Sequence, residues 1–562
     1  MPIFKSLHPD VTIPTDLTTW DWLFDSSYSP LSHSSGPGLA GYQDAFTGQR
    51  INWAQVKTAT TYVSTALVKK YSLKPGQTVS LFSRNTIQYP IAMHGALRAG
   101  AMVSGASPAY NVEEMAYALK IAKAKFLMTS PGSMEVATLA AEKAGLPKDH
   151  LFLLEGKMEG YTTVEELVEI GKSYGEQGQI ASFKIPKGLT NKDLCGFLSF
   201  SSGTTGLPKA VMISHHNVIA QAHQVQPLTS PDKKKVLAVL PFFHITGLIH
   251  ILHVPVLFNA EVYMVPSFTM ASMLQAVQDH QIDDMLVVPP IIIRLVRDPI
   301  VNNYDLSCVK RFSSGAAPMS PEIIQLLEKK FPGTSLTQGY GMTESSSCIT
   351  AHPSEEEGYQ HAHKVGTIVP GTEVKIIKED GTEGDVGEPG EILARGPQVV
   401  MGYLDNEKAT RETFDKDGWL HTGDQGVIDK DGYITILDRI KEMIKVKGIG
   451  VAPTELEDLL LGHEKVEDCA VMGLLDDYAG ELPKAFVVLK PGLTAGESIG
   501  RELLAYVKEK KVRYKHVKEI EFVSEIPKSA SGKILRRVLR NRKSGTEDSI
   551  VVRDTPKERA ML

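Results

Sequence analysis

Apolar positions recur at helical spacing from residue 53 to 71 and stop before Lys74-Pro75-Gly76, which predicts a helix ended by a turn. A short apolar run at 79–82 predicts a buried strand. Helical patterns follow at 89–98 and 113–122, with another strand at 126–128. Strands alternating with helices imply parallel βαβ units and a layered α/β domain. Apolar runs at 194–200 and 210–213 enclose a polar loop. Further strands are predicted at 236–240, 285–288 and 311–314, with helices at 291–297 and 321–331. The pattern changes over 364–438, where short strands at 374–377, 390–395, 426–428 and 433–437 are separated by Gly381, Gly384, Gly387, Gly418 and Gly432. That predicts a β-rich subdomain.

Past residue 438, helices at 455–461 and 500–508 and strands at 469–474 and 486–489 predict a small α+β domain of about 120 residues. The expected fold is therefore α/β, with a large N-terminal domain over 1–438 and a small mobile lid over 439–562. Residues 1–50, rich in Pro, Ser, Thr and Gly, read as an extended surface wrap, and the polar segment 543–562 reads as a frayed tail. No repeat occurs at solenoid periods.

At 562 residues the chain exceeds what one compact core organises. A hydrophobic share of 42% with 22% charged residues fits a soluble globular protein. The net charge of −6 gives no general attraction to nucleic acid or anionic lipid. Cys195, Cys308, Cys348 and Cys469 lie too far apart for metal-ligand spacing and read as reduced core residues. No apolar run is long enough to span a membrane, and residues 1–10 lack a signal-peptide core, so a cytoplasmic monomer or homodimer is expected. The C-terminal Ala560-Met561-Leu562 distantly resembles a peroxisomal tripeptide but lacks its basic residue.

The densest chemistry lies in the loop between the two apolar runs. Ser201, Ser202, Gly203, Thr204, Thr205, Gly206 and Lys209 combine hydroxyl donors, flexible backbone and a cation, which suits a polyphosphate. The spacing is not that of a Walker A loop, and a polar surface turn is the plain alternative. His244, among aromatics in 241–247, reads by default as a core histidine. The small residues Gly315, Ala316, Ala317 and Pro318 follow a strand and could let a flat ring lie on backbone, or simply form a tight turn. Gln338, Gly339, Tyr340, Gly341, Met342, Thr343 and Glu344 offer a ring to stack on a base, a hydroxyl and a carboxylate. Beside a triphosphate, Glu344 requires a bridging cation such as Mg²⁺. Asp424, after Trp419, can accept from two ribose hydroxyls or serve as a turn residue. Arg439 and Lys441 sit in a charged junction, and Lys533 closes a small-residue loop ahead of a basic helix.

Taken in order, these stretches resemble the signatures of the adenylate-forming (AMP-binding) enzymes, nearest to the acyl-CoA synthetase and 4-coumarate–CoA ligase branch. The likeness covers about residues 40–540. It implies ATP, Mg²⁺ and coenzyme A as reactants or cofactors and a small carboxylic acid as substrate. It further implies a phosphate loop at 201–209, an adenine platform at Gly315–Pro318, Asp424 on the ribose and Thr343 and Glu344 on the metal. His244 would gate the acyl pocket, Lys441 would be a hinge, and Lys533 a mobile catalytic lysine. Lys445, Lys447 and Gly448 would face the thioester step. The implied activity is acid–CoA ligation through acyl-AMP; loading of a carrier protein's phosphopantetheine arm is the alternative. Three departures matter. Ala210 and Gly450 replace a usual glycine and glutamine, and Thr246 replaces a substrate-stacking tyrosine. With the polar Ser345-Ser346-Ser347, the last departure points away from a hydroxycinnamate and toward a more polar or an aliphatic acid.

Overall fold

The computed structural model describes residues 2–201, 208–317, 319–356, 358–447, 449–476, 479–529, 532–542 and 550–554. An eight-stranded sheet forms its first layer, in the spatial order Gly402–Tyr403, Lys209–Ser214, Cys195–Ser201, Met102–Ala106, Thr78–Phe82, Ala124–Thr129, Leu151–Leu153 and Thr162–Thr163. The expected βαβ pattern is present: Thr78–Phe82 pairs in parallel with strands on both sides. Helices supply the other faces. Trp53–Lys69 begins with a reciprocal Asn52/Gln55 capping box and buries Trp53, Val56, Val63 and Leu67. Gln88–Arg98 is buried on every side, with the polar Gln88, His94 and Arg98 included.

A four-stranded sheet and a three-stranded parallel sheet, Asp284–Val287, Arg311–Ser314 and Ser335–Gln338, extend the α/β body. The β-rich region is an antiparallel sheet of Phe4–Lys5, Glu373–Ile377, Gly390–Arg395, Leu420–Ile428 and Ile434–Arg439. The C-terminal sheet is built around the hairpin Val466–Asp476 and Gly480–Leu489, covered by Pro453–Leu461 and Glu497–Lys510.

Three expectations need correction. The segment 1–50 is not only a surface wrap: Trp20, Trp22, Leu23 and Phe24 are at most 1% exposed and belong to the main core. They sit at a short π-helical turn, Asp21–Asp25, where Lys57 Nζ donates to the Phe24 carbonyl at 2.9 Å. The tail is not frayed throughout, because Val551–Arg553 pairs antiparallel with Glu519–Phe522 and Val552 packs against Gly500. Finally, the strand expected at 426–428 begins earlier. Leu420–Ile428 is continuous through Asp424, so that acid is held by a sheet and not by a turn.

Candidate active site

The two strands expected on either side of the phosphate-loop stretch are present. Ser201 ends one strand, Lys209 opens the next, and the two are register partners. Ser202, Gly203, Thr204, Thr205 and Gly206 lie outside the described residues, as do Pro318 and Gly448. Lys209 Nζ sits 4.6 Å above the Tyr403 ring. The Tyr403 hydroxyl donates at 2.8 Å to Glu344 Oε1. Tyr403 thus joins the loop lysine to the acid, and burial beside that acid raises its phenol pKa. Nothing in the sequence marks it, since it lies far along the chain from both partners and carries no motif.

Glu344 is 4% exposed, in the single turn Thr343–Ser345. Its carbonyl accepts from the Val400 N–H at 3.1 Å, which ties the turn to the strand edge near Tyr403. The preceding strand Tyr340–Met342 lies so close to Ser347–Ala351 that a Cβ on Gly341 would stand 1.5 Å from the Ser347 carbonyl oxygen; only glycine fits. At the platform, a Cβ on Gly315 would stand 3.4 Å from the Gly339 carbonyl oxygen, and Ala316 holds φ +73°, so the turn is tight and built from the smallest side chains. Ala317 lies in the same bend. Gln338 points inward, its amide donating to the Ala362 carbonyl at 2.6 Å, so this side chain anchors the strand end.

The Tyr340 hydroxyl donates to Asp424 Oδ2 at 2.8 Å, and Arg439 Nε lies 3.3 Å from Asp424 Oδ1 across the adjacent strand. Burial raises the Asp424 pKa, against the pull of Arg439 and Tyr340. Lys533 joins this group from the C-terminal part. Burial, then Arg439, bring its ammonium down to about 8, while Glu442, Asp424 and Glu344 oppose the fall. Its loop is braced from within, the Ser529 N–H donating to the Lys533 carbonyl at 2.8 Å. Gly532, at φ +82°, is pressed to where a Cβ would meet Pro290 Cγ at 3.1 Å. The far end of the same helix, Pro289–Arg297, holds the lid again: Arg297 donates to the carbonyls of Val466, at 3.1 Å, and Leu461. Neither Arg297 nor Tyr403 is legible in the sequence.

His244 caps the short helix Ile245–Gly247, its Nδ1 accepting from the Thr246 N–H at 3.4 Å. Burial lowers its pKa to about 4, so the imidazole is neutral. It nevertheless keeps accessible surface, as a side chain lining a cleft does. Lys441 is exposed in the turn after Ile434–Arg439. Lys445 is not with the cluster: its Nζ lies 3.7 Å from Glu379 on the β-rich sheet's edge. Lys447, at φ +51°, is exposed at the tip of the hairpin Ile444–Val446 and Ile449–Val451.

For a divalent cation the donors are few. Among the described residues no group of three or more His, Cys, Asp or Glu side chains could hold a metal. A buried carboxylate beside a hydroxyl, Glu344 and Thr343, fits Mg²⁺ that arrives with phosphate oxygens as most of its ligands.

The AMP-binding enzyme model matches residues 39–404. The model of the AMP-binding enzyme C-terminal domain matches residues 455–533. The chain belongs to the AMP-binding enzyme family.

Relatives of this AMP-binding enzyme include 4-coumarate–CoA ligase-like 1 of Arabidopsis thaliana, 36% identical over 550 residues, covering 96% of this chain and 97% of the relative. Probable 4-coumarate–CoA ligase 2 of Dictyostelium discoideum is 37% identical over 491 residues, covering 84% and 87%. A solved anthranilate CoA ligase in complex with anthranoyl-AMP has a TM-score of 0.82 at 24% identity, over 94% of this chain and 97% of that one, a likeness of fold. The α/β class with a small C-terminal domain is thus that of the AMP-binding enzymes, with the Lys533 loop lying against the large body.

Proposed function

We propose that this chain is an AMP-forming acid–CoA ligase. It activates a small carboxylic acid as acyl-AMP with release of pyrophosphate, then transfers the acyl group to coenzyme A with release of AMP. The observation that carries this reading is the joining of Asp424 with Tyr340 and Arg439 in one group, while the loop that ends in Lys533 is pressed against Pro290 of the large body. Two anions, the carboxylate and the α-phosphate, must approach each other, so the site works by neutralising charge and aligning reactants. Lys533 lies between them. Asp424 and Tyr340 take the ribose and base, and Lys209 with the 201–209 loop takes the departing pyrophosphate. Glu344 and Thr343 would hold Mg²⁺, which would supply charge neutralisation on the phosphates.

The division at 438/439, with Lys441 as the hinge, lets the 439–562 lid turn so that Lys445, Lys447 and Gly448 replace the Lys533 loop for the thioester step. Carrier-protein loading is not favoured, given relatives named as CoA ligases along almost the whole length. Among the described residues no helix is long and apolar enough to cross a membrane. We place the enzyme in the cytoplasm as a monomer or homodimer; Ala560-Met561-Leu562, outside the described residues, is the segment to delete in an import assay.

Acid-dependent exchange of labelled pyrophosphate into ATP, and CoA-dependent release of AMP, test the function. Lys533→Ala is expected to abolish the exchange while sparing thioester formation from supplied acyl-AMP. Equal loss in both steps would remove the two-face scheme.

A further inference from the structure

We infer that Arg536 is a positioning residue of the adenylating step: paired with Glu442, it fixes the base of the Lys533 loop to the turn that leaves the large body, so that the lysine reaches the nucleotide in one place. This rests on the acid–CoA ligase reading and assigns the residue that aims its lysine.

The loop is braced at its root. The Leu535 N–H donates to the Pro527 carbonyl at 2.8 Å, and Lys528 and Ile534 face each other in an antiparallel bridge. Two cations tie this root to its surroundings. Lys528 Nζ donates to Asp468 Oδ2 at 2.6 Å. Arg536, three residues after Lys533, opens the helix Arg536–Asn541 and is only 9% exposed.

All three nitrogens of that guanidinium are used. Nε donates to the Val471 carbonyl at 3.1 Å, Nη1 to Glu442 Oε2 at 2.8 Å and Nη2 to Glu457 Oε1 at 2.6 Å. Glu457 Oε1 also accepts from the Val471 N–H at 2.7 Å. Val471 belongs to the strand Val466–Asp476 and Glu457 to the helix Pro453–Leu461, so these two contacts lie within the C-terminal packing. Glu442 is different. It follows Lys441 directly, in the turn 440–442 that connects the two parts of the chain.

That turn is held on both sides. Arg439 Nε lies 3.3 Å from Asp424 Oδ1, and Asp424 Oδ2 accepts from the Tyr340 hydroxyl at 2.8 Å. The Glu442 N–H donates to the Arg439 carbonyl at 3.0 Å, and its carboxylate takes Arg536. A continuous path of contacts therefore runs from Tyr340 and Asp424 to the base of the Lys533 loop. The proposed hinge, Lys441, lies between Arg439, pinned to the body, and Glu442, pinned to the loop. Rotation about Lys441 leaves Arg439 behind and carries Glu442, Arg536 and the loop as one piece.

The arrangement is costly, which argues for geometry as its purpose. Burial works against the Arg536 charge, and Glu457, Glu442 and Asp438 together outweigh it and raise its pKa. A buried ion pair adds little stability over a well-packed apolar pair, because both ions lose their water. A planar fork meeting two carboxylates sets distance and angle together, which the point charge of a lysine does not. Aim matters here, since a displacement of about 1 Å at a reacting centre costs up to roughly a hundredfold in rate.

The test uses the full-length enzyme and its two half-reactions. Glu442→Gln keeps the shape of a half-buried side chain and removes the charge that Arg536 meets. Acid-dependent pyrophosphate exchange is expected to fall about ten- to a hundredfold in kcat, with little change in KM for ATP or the acid. Arg536→Lys, which keeps a cation but loses the fork, should fall at least as far. The double variant should fall no further than Arg536→Lys alone, because both changes remove one contact. Glu442→Asp, which keeps the charge, should retain part of the rate. Thioester formation from supplied acyl-AMP, which does not use the Lys533 loop, should stay within about twofold of wild type throughout. A merely structural role would lower both half-reactions together. If Arg536→Lys does not fold, Glu442→Gln decides alone. Wild-type exchange in Glu442→Gln, equal loss in both half-reactions, or additive losses in the double variant would overturn the assignment and leave the ligase reading standing. If the wild type supports no acid-dependent exchange, the ligase reading has failed and this assignment with it.

Discussion

Arg297 offers a way to perturb lid closure without touching a reacting group. Its guanidinium reaches from the end of Pro289–Arg297 to main-chain carbonyls of the C-terminal part, Val466 at 3.1 Å and Leu461. It is partly desolvated there, since burial is the first cause lowering its pKa. Hydrogen bonds from a charged donor contribute about 1.5–3 kcal/mol each, and water takes over part of that when Ala replaces Arg at a half-exposed interface. A net loss of about 2 kcal/mol for the closed lid is the result, roughly a 30-fold shift in the lid equilibrium. Under the proposed scheme, in which a C-terminal lid delivers Lys533, Arg297→Ala should therefore slow acid-dependent pyrophosphate exchange by about ten- to thirtyfold. Thioester formation from supplied acyl-AMP, which needs the other lid position, should be unaffected or faster. The two half-reactions, assayed on one preparation, give this split directly. An equal decline in both, or none in either, would refute the idea that Arg297 holds the adenylating position.

Three further outcomes follow from the same geometry. Tyr403→Phe removes the hydroxyl that donates to Glu344; the exchange rate should fall about tenfold, with the overall melting temperature within a few degrees. Lys533, with its pKa lowered to about 8, is charged below that value and neutral above it. The kcat/KM of adenylation should therefore fall as pH rises through about 8, and Lys533→Arg should move that break upward or, if geometry fails, abolish activity without leaving a break near 8. Asp458 faces Glu457, Glu322 and Asp438, with Lys511 opposing, and burial raises its carboxyl to about 8. Its folded pKa is raised, so the stability it contributes is present at low pH and is lost as pH rises through about 8, with solvent at its half-buried edge screening part of the effect. Because Glu322 belongs to the large body and lies against Gly462 of the C-terminal part, Asp458→Asn should raise the melting temperature at pH 9 relative to wild type and leave it nearly unchanged only below about pH 4, where the unfolded carboxyl is protonated too.

Helical and strand periodicity anticipates the helix Trp53–Lys69 and the parallel strands beside Thr78–Phe82, because burial on one face imposes a local pattern. It fails at Trp20–Phe24. Four large apolar residues within five positions, interrupted by Asp21, have no period, and only packing against residues such as His223, whose Nε2 accepts from Trp22 Nε1 at 3.2 Å, makes them core. It fails again at Val551–Arg553, a short apolar patch within a polar tail, which becomes a strand because an edge of Glu519–Phe522 is open to it. Within the candidate site, the residue types at 338–344, 424 and 533 are readable as chemistry from composition and order. Tyr403 and Arg297 are not, because each acts on groups distant in sequence.

The amino-acid order alone determined the segments with a clear period, such as Trp53–Lys69 and Thr78–Phe82, and which short stretches carry hydroxyls, glycines, carboxylates and lysines, since those depend on neighbours within a few residues. Only the tertiary structure decided that the Lys533 loop lies against Pro290 of the large body, that Tyr403 joins Lys209 to Glu344, and that Ser347 meets His250. The first of these meetings joins the two parts of the chain, and the others bring together elements distant in sequence. Pairings of that kind are set by the packing of whole elements, which no local pattern encodes.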